Sequence, residues 1–411
     1  MSITKLSMIS ATAVFMGTTA YAGCGISSGN VSILGNEFAA IQAVAEGAKQ
    51  CAGDGVTVES NLNKDYRELQ VAALTANPAQ YTAVTTTNAA IVPLLGDDLI
   101  RPLDDLIAKH GQNLSKNQMI TVDGKVMAVA FMANAQHLFV RKDVLEAAGV
   151  DVPTTYEEVI AAGKAIKDAG LMEHPFATTS KTGWNLGEEF VNMYLGFGGE
   201  FFKPGTAEPN INNEAGIAAL NTLKSLTELS NPDYLTFDSN AVQASWEAGE
   251  IAMAHLWGSR GTGLLDNEGS TEEIVSNTLL VSSPTVGGGD IPASTLWWDG
   301  FAIASNISDE DAEASFLAML NGISPAVVKA NNDAAVWLVE GYEPSPASAG
   351  VFATAAGKTK PYPMIPFMGL MHTALGAELT EFLQGSESAE QALADTEAAY
   401  ISAAKEKGFL N

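Results

Sequence analysis

The stretch Thr121–Gly149 (TVDGKVMAVAFMANAQHLFVRKDVLEAAG) sets the tightest limit on what this chain can fold into. Asp123-Gly124, between two apolar runs, is a hairpin turn, because glycine accepts the positive φ that such turns need. Val126–Phe131 is almost wholly apolar and reads as a buried strand. A polar patch follows, Ala133-Asn134-Ala135-Gln136-His137, and then a second apolar strand, Leu138-Phe139-Val140. Arg141-Lys142-Asp143 opens a helix that ends at Gly149. A polar patch between two buried strands fits a chain that leaves one core and enters another. It reads as the first hinge of a two-lobed protein, with a ligand cleft beside it and Asn134 as a candidate contact.

Upstream, short apolar strands (Val31–Leu34, Val56–Glu59, Tyr81–Thr87) alternate with helical patterns at Phe38–Ala48 and Tyr66–Thr75. That order predicts an α/β fold with a parallel sheet. Ligands of such sheets sit at the carboxyl ends of the strands, which places Asn36, Glu37, Thr87 and Asn88 at a cleft edge. Leu94–Lys109 reads as a surface helix. Thr155-x-x-Glu158 is a capping box that opens a helix to Ala169. Trp297-Trp298-Asp299-Gly300 precedes an apolar strand and marks a second crossing.

The chain ends narrow the setting. Residues 1–22 carry Lys5, an apolar run from Met8 to Met16 and the Ala20-Tyr21-Ala22 site, the pattern of a secretory signal peptide; an N-terminal anchor is the alternative. The two cysteines, Cys24 and Cys51, form an even pair in an exported chain, which favours a disulfide. One precedes the first strand and the other ends the first helix, so both can lie at one end of a βα unit. Lipidation of Cys24 and two free thiols are the other readings. Formal net charge is −27, and removing Lys5 with the leader leaves 20 basic against 48 acidic residues, or −28. Such a surface repels nucleic acid and anionic membranes. With 46% hydrophobic and 17% charged residues, 411 residues can bury two or three domain cores.

Several blocks together resemble the sugar-binding family of bacterial extracellular solute-binding proteins, the maltose-binding type. They are Gly124-Lys125, Phe131–Asn134, Phe139–Asp143, Ala148-Gly149-Val150, Pro153, Thr155-Tyr156 and Glu157-Glu158, joined by Gly249–His255 and the final helices. The resemblance covers most of the chain after the leader. It implies a two-lobed periplasmic binding protein fold of type II, a monomer in the periplasm, and delivery of a mono- or disaccharide or polyol to the permease of an ABC transporter. Lobe one would hold residues 23–132 and 292–338, and lobe two 133–291 and 339–411.

Sugars offer flat C–H faces and many hydroxyls, so aromatic rings and rim polar groups are the residues to look for. Of six tryptophans, Trp246 and Trp337 lie in core-like patterns. Trp184 and Trp257 stand at element starts, and Trp257 falls where the family places a stacking aromatic. Trp297, Trp298 and Asp299 sit at the second crossing. Arg260 is a candidate either to pair with Asp299 or to donate to ligand oxygens; Arg67 is a second candidate cation. His372 stands where the family brings an aromatic to the site, and Met371-His372 replaces the usual aromatic pair, which points to a small ligand. Tyr81 replaces a usual Asp.

No P-loop, HExxH, CxxC or GxSxG is present; Gly258-Ser259-Arg260-Gly261 is one residue short of the last. The histidines (His110, His137, His174, His255, His372) lack metal spacing. The expectation is a binding protein with no metal, no cofactor and no catalytic residues. The alternatives are the same fold holding an anionic solute such as a glycerol phosphate or sulfonated sugar, which needs converging cations, and a secreted carbohydrate-active enzyme.

Overall fold

The computed structural model describes residues 24–411, so the leader read at residues 1–22 lies outside the described residues. Among the described residues twelve strands are formed: β1 (Gly29–Gly35), β2 (Val56–Leu62), β3 (Ala83–Thr87), β4 (Met119–Val122), β5 (Lys125–Asn134), β6 (Gln136–Arg141), β7 (Phe176–Thr178), β8 (Met253–Trp257), β9 (Thr278–Val281), β10 (Thr295–Ile303), β11 (Val336–Trp337) and β12 (Lys360–Pro361). They build two sheets. One runs β11-β5-β10-β3-β1-β2, with β4 on β5 and β12 on β10; the other runs β7-β8-β6-β9. Helices pack on both, and each sheet heads its own lobe.

The chain crosses between the sheets where the polar patch stands. β5 belongs to the first sheet and β6 to the second, with Ala135 alone between them. β9 lies in the second sheet and β10 in the first, so the chain returns along Ser282–Ser294. A further passage leads from β11 to the helix Ala349–Ala356, which packs on β6 and β9.

The first sheet is mixed, a correction to the parallel sheet expected. β1 pairs in parallel with β2 and β3, but β10 runs antiparallel to both β3 and β5. β10 arrives from the other lobe at the cleft end of the sheet, opposite in sense to strands that run toward the cleft. Leu94–Lys109 is two helices, Ile91–Gly96 and Asp104–His110, not one. Pro102 offers no N–H to a helix, and the Arg101 amide donates instead to Ile303 O at 2.9 Å.

Each lobe has its own apolar core. In the first, Val31, Ile33, Val44, Phe131, Phe301 and Phe316 meet, and the helices Ala39–Lys49 and Asp309–Gly322 close over them. In the second, Val159, Ile166, Phe176, Phe190, Leu220 and Tyr400 are buried together. Full burial of each such side chain contributes roughly 1.5–3 kcal/mol. The expected bridge is present: Cys24 and Cys51 are bonded, with Cα atoms 5.3 Å apart, tying the segment before β1 to the end of the first helix. Closing a loop of this length contributes roughly 3–4 kcal/mol. The Thr155 box also forms, Thr155 Oγ1 accepting from the Glu158 amide and the Glu158 carboxylate accepting from the Thr155 amide. Trp246 and Trp337 are core residues, as their patterns imply.

β10 makes a close backbone contact with β5 at the crossing. Its pairing with β5 shifts register between Asp299 and Gly300, and a Cβ on Gly300 would lie 2.5 Å from Val129 O and 2.9 Å from Ala130 Cα. Only a residue without a side chain lets the two backbones approach so closely. Gly300→Ala is therefore expected to cost about 1–3 kcal/mol by overpacking. Urea unfolding of the variant checks this; an unchanged midpoint would mean that β5 yields freely.

Candidate functional site

At the junction of the lobes five aromatic rings form one cluster. Trp184 opens the helix Trp184–Gly196, Trp257 ends β8 and Trp297 lies early in β10. Trp184 stacks on His372 with centroids 4.8 Å apart and meets Trp257 at 6.3 Å and Trp297 at 5.7 Å. Tyr362 lies 4.4 Å from Trp297 and 5.8 Å from His372. Trp184 and Trp257 are half-buried, whereas Trp297 is 5% exposed.

Hydrogen bonds fix these rings. His372 Nε2 donates to Trp184 O at 2.8 Å, and its Nδ1 accepts from Tyr362 Oη at 2.9 Å. Burial pushes the imidazole down to about 4, so it is neutral, which suits one donor and one acceptor. The ring fits because residue 187 is glycine: a Cβ there would lie 2.7 Å from His372 Cδ2. Trp297 Nε1 donates to Glu188 Oε1 at 3.1 Å, and Thr295 Oγ1 donates to the same atom at 2.6 Å. Glu188 is fully buried and its Oε2 has no partner. Burial raises its carboxyl to about 8, against the two hydrogen bonds, which lower it.

Across from the cluster, lobe one offers Arg67 and Asp299. Arg67 stands in the first turn of the helix Tyr66–Thr75. Its guanidinium carbon lies 4.8 Å over the Trp184 ring, and Nε donates to Tyr66 Oη at 3.1 Å. Asp299 is 8% exposed and, among the described residues, accepts no hydrogen bond with its carboxylate. Burial raises it to about 7 while Arg67 pulls the other way. The junction therefore brings together a cation, a carboxylate short of donors and an aromatic wall.

The other candidates are placed as follows. Asn88 is 1% exposed and holds β10 with both ends of its amide, accepting from the Trp298 amide and donating to Leu296 O. Asn134 accepts from the Ala135 and Ser259 amides and donates to Ser259 Oγ, so its amide pins the crossing to the turn after β8. Trp298 is half-buried against the Leu34 and Tyr66 cluster of lobe one. Asn36 is half-buried, its side chain accepting from the Glu37 amide, and Glu37 is exposed. Arg260 does not meet Asp299: its Nη1 donates to Gln243 Oε1 at 3.1 Å, and Asp238 and Glu247 are the acids that favour its charge. The short turn Gly258–Arg260 runs straight into the helix Gly261–Leu265, which sends the side chain along the flank of lobe two. Reading the sequence missed Tyr362 and Glu188 and left Arg67 undecided; the Pro361–Pro366 run was the available signal for Tyr362.

One buried chain has the order of a hydrolytic triad. His255 Nε2 lies 3.0 Å from Ser283 Oγ, and its Nδ1 lies 3.5 Å from Glu189 Oε2. The three residues are 2%, 1% and 3% exposed in the order Ser283, His255, Glu189, and the hydroxyl donates to Ala293 O. His255 Nδ1 has no hydrogen-bond partner among the described residues, so the bonded part of the chain ties β8 to the returning segment.

Residues 33–322 match the family model described as bacterial extracellular solute-binding protein. The chain belongs to that family, as its sequence blocks suggested. Solved structures with the same fold include a solute-binding protein of Agrobacterium radiobacter K84 in complex with ribitol (TM-score 0.76, 20% identity, 90% of this chain and 97% of that one). Another is maltose-bound T. maritima MalE3 (0.77, 18%, 91% and 99%). A third is an Agrobacterium vitis S4 solute-binding protein with bound D-mannitol (0.75, 18%, 93% and 99%). A Deinococcus radiodurans protein named "Probable ABC transporter-binding protein" is 24% identical over 251 residues, 56% of this chain and 58% of that protein. The match thus spans little more than half of that relative. Among the described residues no helix is long and apolar enough to cross a membrane.

The buried acids predict how stability depends on pH. Glu188 and Asp299 hold their protons more tightly folded than unfolded, so they stabilise the fold at low pH and lose that contribution as pH rises toward about 8 and about 7. His137 and His372, pushed down by burial, act in the opposite sense, but below their ordinary value near 6.5. Between pH 6.5 and 8 the ligand-free melting temperature is therefore expected to fall, and Glu188→Gln to fall less. Equal slopes in thermal unfolding would mean that Glu188 is already ionised.

Proposed function

We propose that this chain is the solute-capturing component of an ABC import system, holding a mono- or disaccharide or a polyol between its lobes in the periplasm and delivering it to a membrane permease. We assign residues 23–132 and 292–338 to one lobe and 133–291 and 339–411 to the other, with ligand trapped by closure about the crossings. The observation that carries the reading is the pairing of an aromatic wall with an under-satisfied carboxylate. Trp257 presents a half-buried ring to C–H faces, and Asp299 has lone pairs for hydroxyl donors. Ribitol, mannitol and maltose in the structural relatives agree with such a ligand.

A neutral ligand fits better than an anionic one. Arg67 faces both Asp299 and Glu188, while Arg260 is turned to Gln243. A phosphate or sulfonate at Arg67 would lie beside the Asp299 and Glu188 carboxyls, whose ionised forms its charge would oppose. Docking on the permease as a monomer, without turnover of the solute, completes the assignment.

Isothermal titration calorimetry with neutral sugars and polyols, beside sugar phosphates, tests the proposal. One neutral class should bind, and Asp299→Asn should weaken it about tenfold to a hundredfold, the worth of a hydrogen bond to a charged group of ~1.5–3 kcal/mol. Hydroxyls that donate to Asp299 favour its ionised form, so affinity should fall as pH drops from 8 to 5 through about 7. Binding of phosphorylated sugars alone would overturn the neutral-ligand reading.

A further inference from the structure

Each sugar ring held by stacking needs an aromatic face of its own, so the number of free faces limits ligand length. The cluster holds three indoles, yet few faces are open. Trp297 is 5% exposed, with Trp184, Trp257 and Tyr362 around it and its N–H tied to Glu188. Trp184 is covered by His372 and by the Arg67 guanidinium, each 4.8 Å from the ring. Trp257 is half-buried, and Asp299 stands across the junction on β10.

Arg67 reaches Trp184 from the opposite lobe, and its position is held. Tyr66, next to it in the same helical turn, is 2% exposed and accepts the Nε hydrogen bond. Asp299 and Tyr66 both favour the guanidinium charge, and burial opposes it. A planar cation over an indole is a stable arrangement that a lysine reproduces poorly.

Resting on the carbohydrate reading above, we infer that Arg67 sets the length of the ligand: by lying on Trp184 it withdraws that ring from stacking and leaves a site for one sugar ring, or an acyclic polyol of similar size, between Trp257 and Asp299. Arg67 is then the specificity-determining residue, and removing it should lengthen the site by the Trp184 face.

The test is calorimetric titration of the wild-type protein, Arg67→Ala and Arg67→Lys with ribitol, mannitol, glucose and maltose, after thermal unfolding has checked the fold of each. Wild type should bind one of the three small compounds at least tenfold more tightly than maltose. Arg67→Ala should lose at least tenfold for that compound and gain at least tenfold for maltose. Arg67→Lys keeps the charge but not the planar stack, so it should gain maltose affinity while losing less of the small ligand; it carries the test if the alanine variant does not fold. Wild type binding maltose as tightly as the small compounds would overturn the length assignment and leave the carbohydrate reading standing. Loss of all ligands alike in both variants would also overturn it. Failure of every neutral compound to bind wild type would overturn both.

Discussion

The strands that carry the chain between its lobes, β5 and β10, hydrogen-bond to each other at the point of crossing. Trp297 stands opposite Asn134 and Trp298 opposite Ala133, so the two passages are held as one ribbon. Alternation along β10 then divides its side chains between the lobes: Trp297 joins the second core and Trp298 the first. The register shift at Asp299 and Gly300 follows directly, and it brings the carboxylate to the junction. Asn88 and Asn134 serve the same ribbon, one gripping β10 on both sides of Trp297 and the other fastening the end of β5 to the turn after β8.

Beneath the aromatic wall the protein buries more polar chemistry than its stability asks for. Glu188, Glu189, Gln136, Asn192, Thr179 and Thr295 form one network in which Gln136 donates to Glu189, Asn192 donates to Gln136 and Thr295 donates to Glu188. Burying two neighbouring carboxyls is costly unless they are bonded or protonated. What the network supplies in return is position. The Trp297 indole and the start of β10 are held from the side of lobe two, so the wall of the cleft is set by a lobe to which its strand does not belong.

The fold was largely legible in the sequence because its signals are local. The Asp123-Gly124 turn, the Thr155 capping box, the two cysteines and the polar patch at Ala133–His137 each work within a few residues. The antiparallel entry of β10 was not, since strand sense depends on which end of the sheet a distant segment returns to. The site was legible by residue type more than by role. Trp184, Trp257 and Asp299 do stand at the junction, but Asn88 and Asn134, also polar and near the crossings, spend their amides on β10 and on the turn after β8. Arg260 looked like the cleft's cation because it follows Trp257 closely. A short turn ending in a helix sets it against Gln243, and Arg67, far off in sequence, is the cation beside Asp299. Glu188 gave no signal, because a buried acid inside a helix looks like a solvated one until its neighbours are known.

Three indoles from separate parts of the chain stand within 5.7–6.3 Å of one another at the junction. At such spacing their electronic transitions couple, and the coupling depends on the angles between rings, here from 26° to 84°. Trp297 lies on a strand of the first sheet but is packed with Trp184 and Trp257 in the second core, so the couplet reports how that strand is seated in lobe two. The protein thus carries an unlabelled optical gauge of its aromatic wall, readable in the ultraviolet circular dichroism of the tryptophan bands.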